Sequence, residues 1–180
     1  FFENDANIFY PCVDMAGEKT GITGTEFPVL NYLIYLFALV FGWNEWYGRL
    51  IVLVVSSVGS YYFYKLVKKF FSEKHAFLST ILLIVSNWFI YSRKIMPDTF
   101  SVSLTIIGLW FAILYLEQSK IRHLFVSSLL ILLGILSKIP SLIILIPLGL
   151  FFIDKSYLLK NKVILAISLI PCFIMIYWWY

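Results

Sequence analysis

The chain has 180 residues, of which 61% are hydrophobic, 19% aromatic and only 13% charged, and its mean hydropathy is +0.89. Soluble domains carry roughly 25% charged residues, so this composition excludes a water-soluble globule and places the protein in a membrane. The net charge of +4 comes from cations scattered through short connectors between apolar runs rather than from one basic patch, which excludes nucleic acid as a partner.

Residues 1–26 form a polar, acidic loop in which Glu3, Asp5, Asp14, Glu18 and Glu26 stand against a single Lys19. Residues 27–42 are apolar over 16 positions. As a helix they reach about 24 Å, against a hydrocarbon core of roughly 30 Å. Pro28 suits a first helical turn and Gly42 a stop, so the stretch is expected to be one helix lying along the interface. If it crosses instead, residues 1–26 lie on the cytoplasmic side. Six apolar runs follow, near residues 47–66, 76–92, 98–116, 123–137, 140–154 and 162–180. Pro140 makes a turn between the fourth and fifth the better reading, with one long broken helix as the alternative. The expected fold is all-α, a polytopic bundle of about six transmembrane helices (47–180) preceded by a loop and an interfacial helix (1–46). The chain begins with Phe1 and ends on the aromatic cluster Tyr177 to Tyr180, as a partial domain cut from a longer protein would.

Lysine and arginine favour the cytoplasmic ends of membrane helices. Lys65, Lys68, Lys69, Lys74, Lys120, Arg122, Lys155, Lys160 and Lys162 occupy alternate connectors, against Lys19, Arg49, Arg93, Lys94 and Lys138 on the others. Nine against five makes the first set cytoplasmic and the second external. Seven of the ten acids, Glu3, Asp5, Asp14, Glu18, Glu26, Glu45 and Asp98, then share the external side with the smaller set of cations. Membrane topology does not require that mixture, so it marks the candidate site. At its centre lies the polar hairpin Ser92-Arg93-Lys94-Ile95-Met96-Pro97-Asp98. His75 and His123 fall among the cytoplasmic cations and are expected to be solvated loop residues. Asn87, inside the second run, is expected to bond a neighbouring helix. Cys12 in the loop and Cys172 within an apolar run give neither a disulfide nor a metal spacing.

Five short motifs occur in order: Gly24-Thr25-Glu26-Phe27-Pro28, Phe41-Gly42, Gly48-Arg49-Leu50, Ser92-Arg93 through Pro97-Asp98, and Gly134-Ile135-Leu136-Ser137-Lys138-Ile139-Pro140. This order resembles the GT-C class of glycosyltransferases that use polyprenyl-phosphate sugars, in particular bacterial relatives of protein mannosyltransferases and aminoarabinose transferases. The resemblance implies a sugar transferase of the bacterial cytoplasmic membrane, with its active site on the external face. By match, Glu26 and Asp98 are the site carboxylates, and Glu26 is the residue that in some members helps hold a divalent cation. Arg93, Arg49 and Lys138 match the cations near the lipid phosphate. The principal catalytic Asp of the family has no counterpart here. Asp5 and Asp14 are the nearest acids, but their spacing to Pro11 fits poorly, which implies that this base lies upstream of Phe1 and that the piece alone is inactive.

Transfer of a sugar from a lipid phosphate to an acceptor hydroxyl, with inversion, requires one base for the acceptor proton and cations for the departing phosphate. A guanidinium holds phosphate oxygens in two parallel hydrogen bonds, which favours Arg93 or Arg49 over Lys94. The bland readings are a helix-start role for Asp98, a cap for Glu26, and snorkelling for Arg93 and Lys94. A transporter or lipid flippase is the alternative function. Its marks would be internal repeats and charges near the middle of spans, whereas here no repeat is visible and the charges sit at span ends. The acceptor, whether glycan, lipid or protein, is not legible in these residues.

Overall fold

The computed structural model describes residues 26–179, and all regular structure in them is helical. A short helix α1 (Val29–Phe41) is followed by α2 (Trp46–Phe70), α3 (Glu73–Val85), α4 (Asn87–Ile90), α5 (Pro97–Gln118), α6 (Ile121–Ser137), α7 (Leu145–Ile153) and α8 (Leu159–Trp179). Single 3-10 stretches at Tyr91–Arg93 and Ile139–Ile144 precede α5 and α7.

Contacts between specific side chains set the directions of these helices. Tyr62 lies 6.2 Å from Trp110, and Lys69 pairs with Glu117, so α2 and α5 run parallel. Gly108 abuts Ile131 and Gly134 abuts Ser101 and Thr105, so α6 returns antiparallel to α5. Phe151 reaches Phe70 at 5.4 Å, which brings the end of α7 to the end of α2. Asn161 at the start of α8 bonds Leu116 and Ser119 at the end of α5. Trp179 meets Phe27 at 4.8 Å at the opposite end. The chain therefore runs between two ends of one bundle, with the starts of α2 and α5 and the finish of α6 gathered at one of them.

By length and composition, α2, α5 and α8 are each able to cross a membrane, and a fourth span exists if α3 and Asn87–Arg93 are counted as one bent pair. The passes at Ile121–Ser137 and Ile139–Ile153 are shorter. The second apolar run, read from sequence as continuous, breaks at Ser86 with a bend of 53°. Ser86 is extended, and its hydroxyl donates to the Leu83 carbonyl at 2.6 Å. A serine that satisfies a carbonyl from outside the helical ladder competes with that ladder. Asn87 accordingly sits exposed at the break and opens α4 instead of bonding across helices. The turn expected at Lys138 is present: α6 stops at Ser137, Lys138 is extended, and Pro140 lies in the first turn of the next stretch.

α5 is the central helix, with 78% of its apolar window inside the protein. Its seams with α2 and α6 are lined by Ser56, Ser60, Ser101, Ser103, Thr105 and Ser127, all buried. Between apolar helices in lipid, small side chains allow the backbones to approach, and that close packing is what holds them together. Several of these hydroxyls return to their own helix, as Ser103 does to the Thr99 carbonyl at 2.6 Å and Ser60 to the Ser56 carbonyl at 2.9 Å.

α1 buries the stripe Val29, Leu30, Ile34 and Ala38 and exposes Leu39, Val40 and Phe41. The buried stripe joins Ile51 and Val52 of α2, Phe100 and Leu104 of α5, and Leu130 and Leu133 of α6 in one apolar cluster. α1 thus lies across the end of the bundle where α2 and α5 begin and α6 finishes.

His75 is exposed at the start of α3, 2.7 Å from the Ser72 hydroxyl. His123 corrects the expectation of a solvated loop residue. It lies in the first turn of α6, only 8% exposed, with its ring 6.0 Å from that of Phe111, because the helix starts two residues before it and turns it inward. Asn161, buried at the α5–α8 junction, donates to the Leu116 carbonyl at 3.3 Å and to the Ser119 hydroxyl at 2.6 Å. Asn161→Leu takes the side-chain donor from the buried Leu116 carbonyl, so it is expected to destabilise the protein by about 1–3 kcal/mol, read as a lower melting temperature of the detergent-solubilised protein.

Candidate functional site

The site is assembled at the end of the bundle that α1 crosses. The backbone N–H of Phe27 donates to the Leu136 carbonyl at 3.2 Å, and the Phe27 ring packs edge-on against Trp179. These two contacts hold the residue before them, Glu26, over the end of α6. On α6, Ser137 is the last helical residue and Lys138 follows in extended conformation, which turns its side chain out of the helical stack. On α5, Met96 is extended, Pro97 takes the first helical position, where its missing N–H costs nothing, and Asp98 falls in the first turn. A carboxylate there is favoured by the partial positive charge at a helix start.

The three side chains meet. The Lys138 ammonium donates to Glu26 Oε1 and lies 3.5 Å from Asp98 Oδ1. Lys138 and Glu26 have side-chain exposures of 29% and 33%, and Asp98 is the most open of the trio at 57%. The hydrogen bond that it donates to Glu26, together with attraction to both carboxylates, holds the Lys138 ammonium above its ordinary pKa, against an opposing effect of burial. A raised folded-state pKa means that the stabilisation is complete at neutral pH and is lost only as pH climbs through the folded value. Lys138 is therefore a permanent cation here, not a proton acceptor. Two carboxylates about one ammonium leave one negative charge in excess, and the more open, more loosely held carboxylate is Asp98.

The other expected cations stand apart from this cluster. Arg49 is exposed on the first turn of α2, and Arg93 is exposed in the 3-10 turn before α5. Neither forms an ion pair among the described residues. They belong to adjoining elements: a Cβ on Gly48 would fall 2.8 Å from both Ile34 and Ile95, so the start of α2 is wedged between α1 and the turn that carries Arg93. Lys94 lies over the Tyr91 ring at 5.3 Å, which engages its charge locally.

A divalent cation needs about six oxygen ligands. Among the described residues no three His, Cys, Asp or Glu side chains gather, and the Glu26 carboxylate is already bonded by Lys138. Glu26 and Asp98 are the two carboxylates these residues would offer such an ion, and the Lys138 ammonium lies between them. Asp5 and Asp14 lie outside the described residues.

Sequence reasoning named Glu26, Asp98 and Lys138 individually. It missed what brings them together: the Phe27 to Leu136 backbone bond, the Phe27–Trp179 ring contact, and Gly134, where the α5 and α6 backbones nearly touch. The glycine was visible within the quoted motif, but its neighbours in space were not.

The family model described as dolichyl-phosphate-mannose-protein mannosyltransferase matches residues 25–180 of the chain. No curated protein and no solved structure matches it.

Proposed function

The chain belongs to the dolichyl-phosphate-mannose-protein mannosyltransferase family of membrane glycosyltransferases, and from that premise we propose that it forms part of a site that moves a sugar from a polyprenyl phosphate to an acceptor hydroxyl. The observation that carries this reading is the convergence of Glu26, Lys138 and Asp98 from three elements at one end of the bundle. Charges are costly at membrane depth, and a gathered, partly open set of them there calls for a substrate.

The geometry favours a division of roles. Asp98, the more open of the two carboxylates, takes the acceptor proton in this scheme in place of the base that the resemblance set upstream of Phe1, as the acceptor oxygen bonds to the sugar's anomeric carbon and the bond from that carbon to the phosphate oxygen breaks. The electron pair leaves with the polyprenyl phosphate. Lys138, held by Glu26, keeps a positive charge beside Asp98 and fixes its position, so Lys138 and Glu26 are positioning residues in this scheme. The excess negative charge of the trio repels a phosphate, whereas Arg49 and Arg93 lack acidic partners among the described residues and are the cations left to receive it. The sorting of nine lysines and arginines to the other end supports an external position for the trio by the positive-inside rule.

The test is transfer of a labelled sugar from polyprenyl-phosphate sugar by the purified full-length protein. A covalent product is expected. Passage of the labelled lipid across vesicles with no covalent product would replace this reading with that of a flippase. Arg93→Gln removes a charge-assisted pair of hydrogen bonds, usually about 1.5–3 kcal/mol. It is therefore expected to raise the KM for the donor lipid by roughly 10- to 100-fold, with kcat little changed. An unaltered KM would take Arg93 out of the phosphate site.

A further inference from the structure

We propose that the opposite end of the bundle is a docking surface for the headgroups of anionic phospholipids. The connectors at 65–74, 117–122 and 154–162 reach this end, bringing nine lysines and arginines and only three acids, Glu73, Glu117 and Asp154. The structure separates the engaged cations from the free ones. Lys68 pairs with Glu73 at 2.7 Å, and Lys69 with Glu117 at 2.6 Å. Lys162 is buried and donates to the Phe152 and Asp154 carbonyls, closing the end of α7. The Asp154 carboxylate accepts from the backbone of Ser156 at 2.9 Å. Lys65, Lys74, Lys120, Arg122, Lys155 and Lys160 have no acidic partner among the described residues. Lys65 is held by rings alone, 4.9 Å from Tyr61, 5.5 Å from Tyr62 and 5.4 Å from Trp110.

The neighbours of these cations decide the class of partner. Phe71, Ile121, Ile153, Leu158 and Leu159 are exposed by 66% to 77%, interleaved in sequence with the free lysines and arginines. A free phosphate or a nucleic acid satisfies the charges but leaves these apolar side chains in water. A lipid with an anionic headgroup satisfies both, because the cations meet the headgroup while the apolar side chains enter the acyl boundary. Aromatic rings around Lys65 hold its ammonium at that boundary.

The test uses melting temperature and is independent of the transferase reading. The full-length protein is placed in vesicles of phosphatidylcholine alone, or of phosphatidylcholine with one part in four phosphatidylglycerol. The anionic lipid is expected to raise the melting temperature by about 5 °C, less at high salt. The combined variant Lys65→Gln, Lys74→Gln and Arg122→Gln should lose this rise, whereas Lys94→Gln, at the other end, should keep it. If the triple variant does not fold, the phosphatidylglycerol retained through purification is compared between the wild-type protein and Lys74→Gln alone, and less is expected for the variant. An equal response or equal retention in the two proteins would overturn the proposal. So would an equivalent rise on adding inorganic phosphate in neutral detergent, which would make the surface a phosphate site.

Discussion

Asp98→Asn is expected to lower kcat for sugar transfer by a factor of about 10²–10⁴, the usual contribution of a positioned proton acceptor, with the KM for the donor lipid unchanged within a few fold. The substitution is close to isosteric and leaves Pro97 and the start of α5 intact. What it removes is the negative charge 3.5 Å from the Lys138 ammonium and the capacity to hold a proton. The competing account gives Asp98 only a helix-start role. That role is worth about 0.3–1 kcal/mol and predicts a melting temperature lower by a few degrees with transfer intact. The two accounts separate in a single pair of measurements, steady-state kinetics and melting of the same full-length variant. Full activity in Asp98→Asn would remove the residue from the chemistry. A partial return of kcat in Asp98→Glu, which restores the charge at a shifted position, would support the proton-transfer role against a purely structural one.

Gly134→Ala is expected to damage both stability and activity. A Cβ at this position would fall 2.5 Å from Thr105 Cγ2 and 2.8 Å from the Ser101 carbonyl oxygen. The second contact is with helical backbone of α5, which no side-chain rotation relieves, so α5 and α6 must separate. Overpacking of this kind costs about 1–3 kcal/mol, a fall in melting temperature of roughly 5 °C for a chain of this size. The site feels the same displacement. Lys138 lies one helical turn beyond Gly134, and Asp98 lies one turn before Ser101, so parting the helices at Gly134 draws the ammonium away from the carboxylate. Transfer should fall even when assayed well below the melting point. Gly149→Ala is the matched control: it sits inside α7, with no atom within 4 Å of its added Cβ, and is expected to be neutral or mildly stabilising. Equal melting of the two variants would contradict the close α5–α6 approach.

The order of apolar runs and the sorting of charges to opposite ends could be read along the chain, because the cost of placing a charge in hydrocarbon depends on composition and length alone. That cost is enough to put Asp98, Lys138, Arg49 and Arg93 together at one end, and Glu26 joins them only where residues 27–42 do not cross. It does not say which of them touch. α5 is apolar almost all round, so its sequence carries no stripe to reveal which side faces α2, α6 or α8, and nothing in its pattern marks it as the central helix. Ser86 was invisible as a break because a lone serine in an apolar run is compatible with a continuous helix. Only its hydroxyl bond to Leu83 and its extended backbone divide α3 from α4. His123 misled for a related reason: a histidine beside Lys120 and Arg122 reads as solvated until the rotation of α6 turns its ring toward Phe111.

The amino-acid order by itself determined a membrane-embedded all-α protein, favoured the turn at Lys138, and set the end of the bundle at which Asp98, Lys138, Arg49 and Arg93 collect. Tertiary structure alone decided that Lys138 joins Glu26 and Asp98 while Arg49 and Arg93 remain outside the cluster. Hydropathy fixes a residue's depth along a helix axis, but a hydrogen bond also requires rotation about that axis and the distance to the next helix. Those two quantities are set here by the contacts of Gly134, Gly48 and Phe27 with residues remote in the chain.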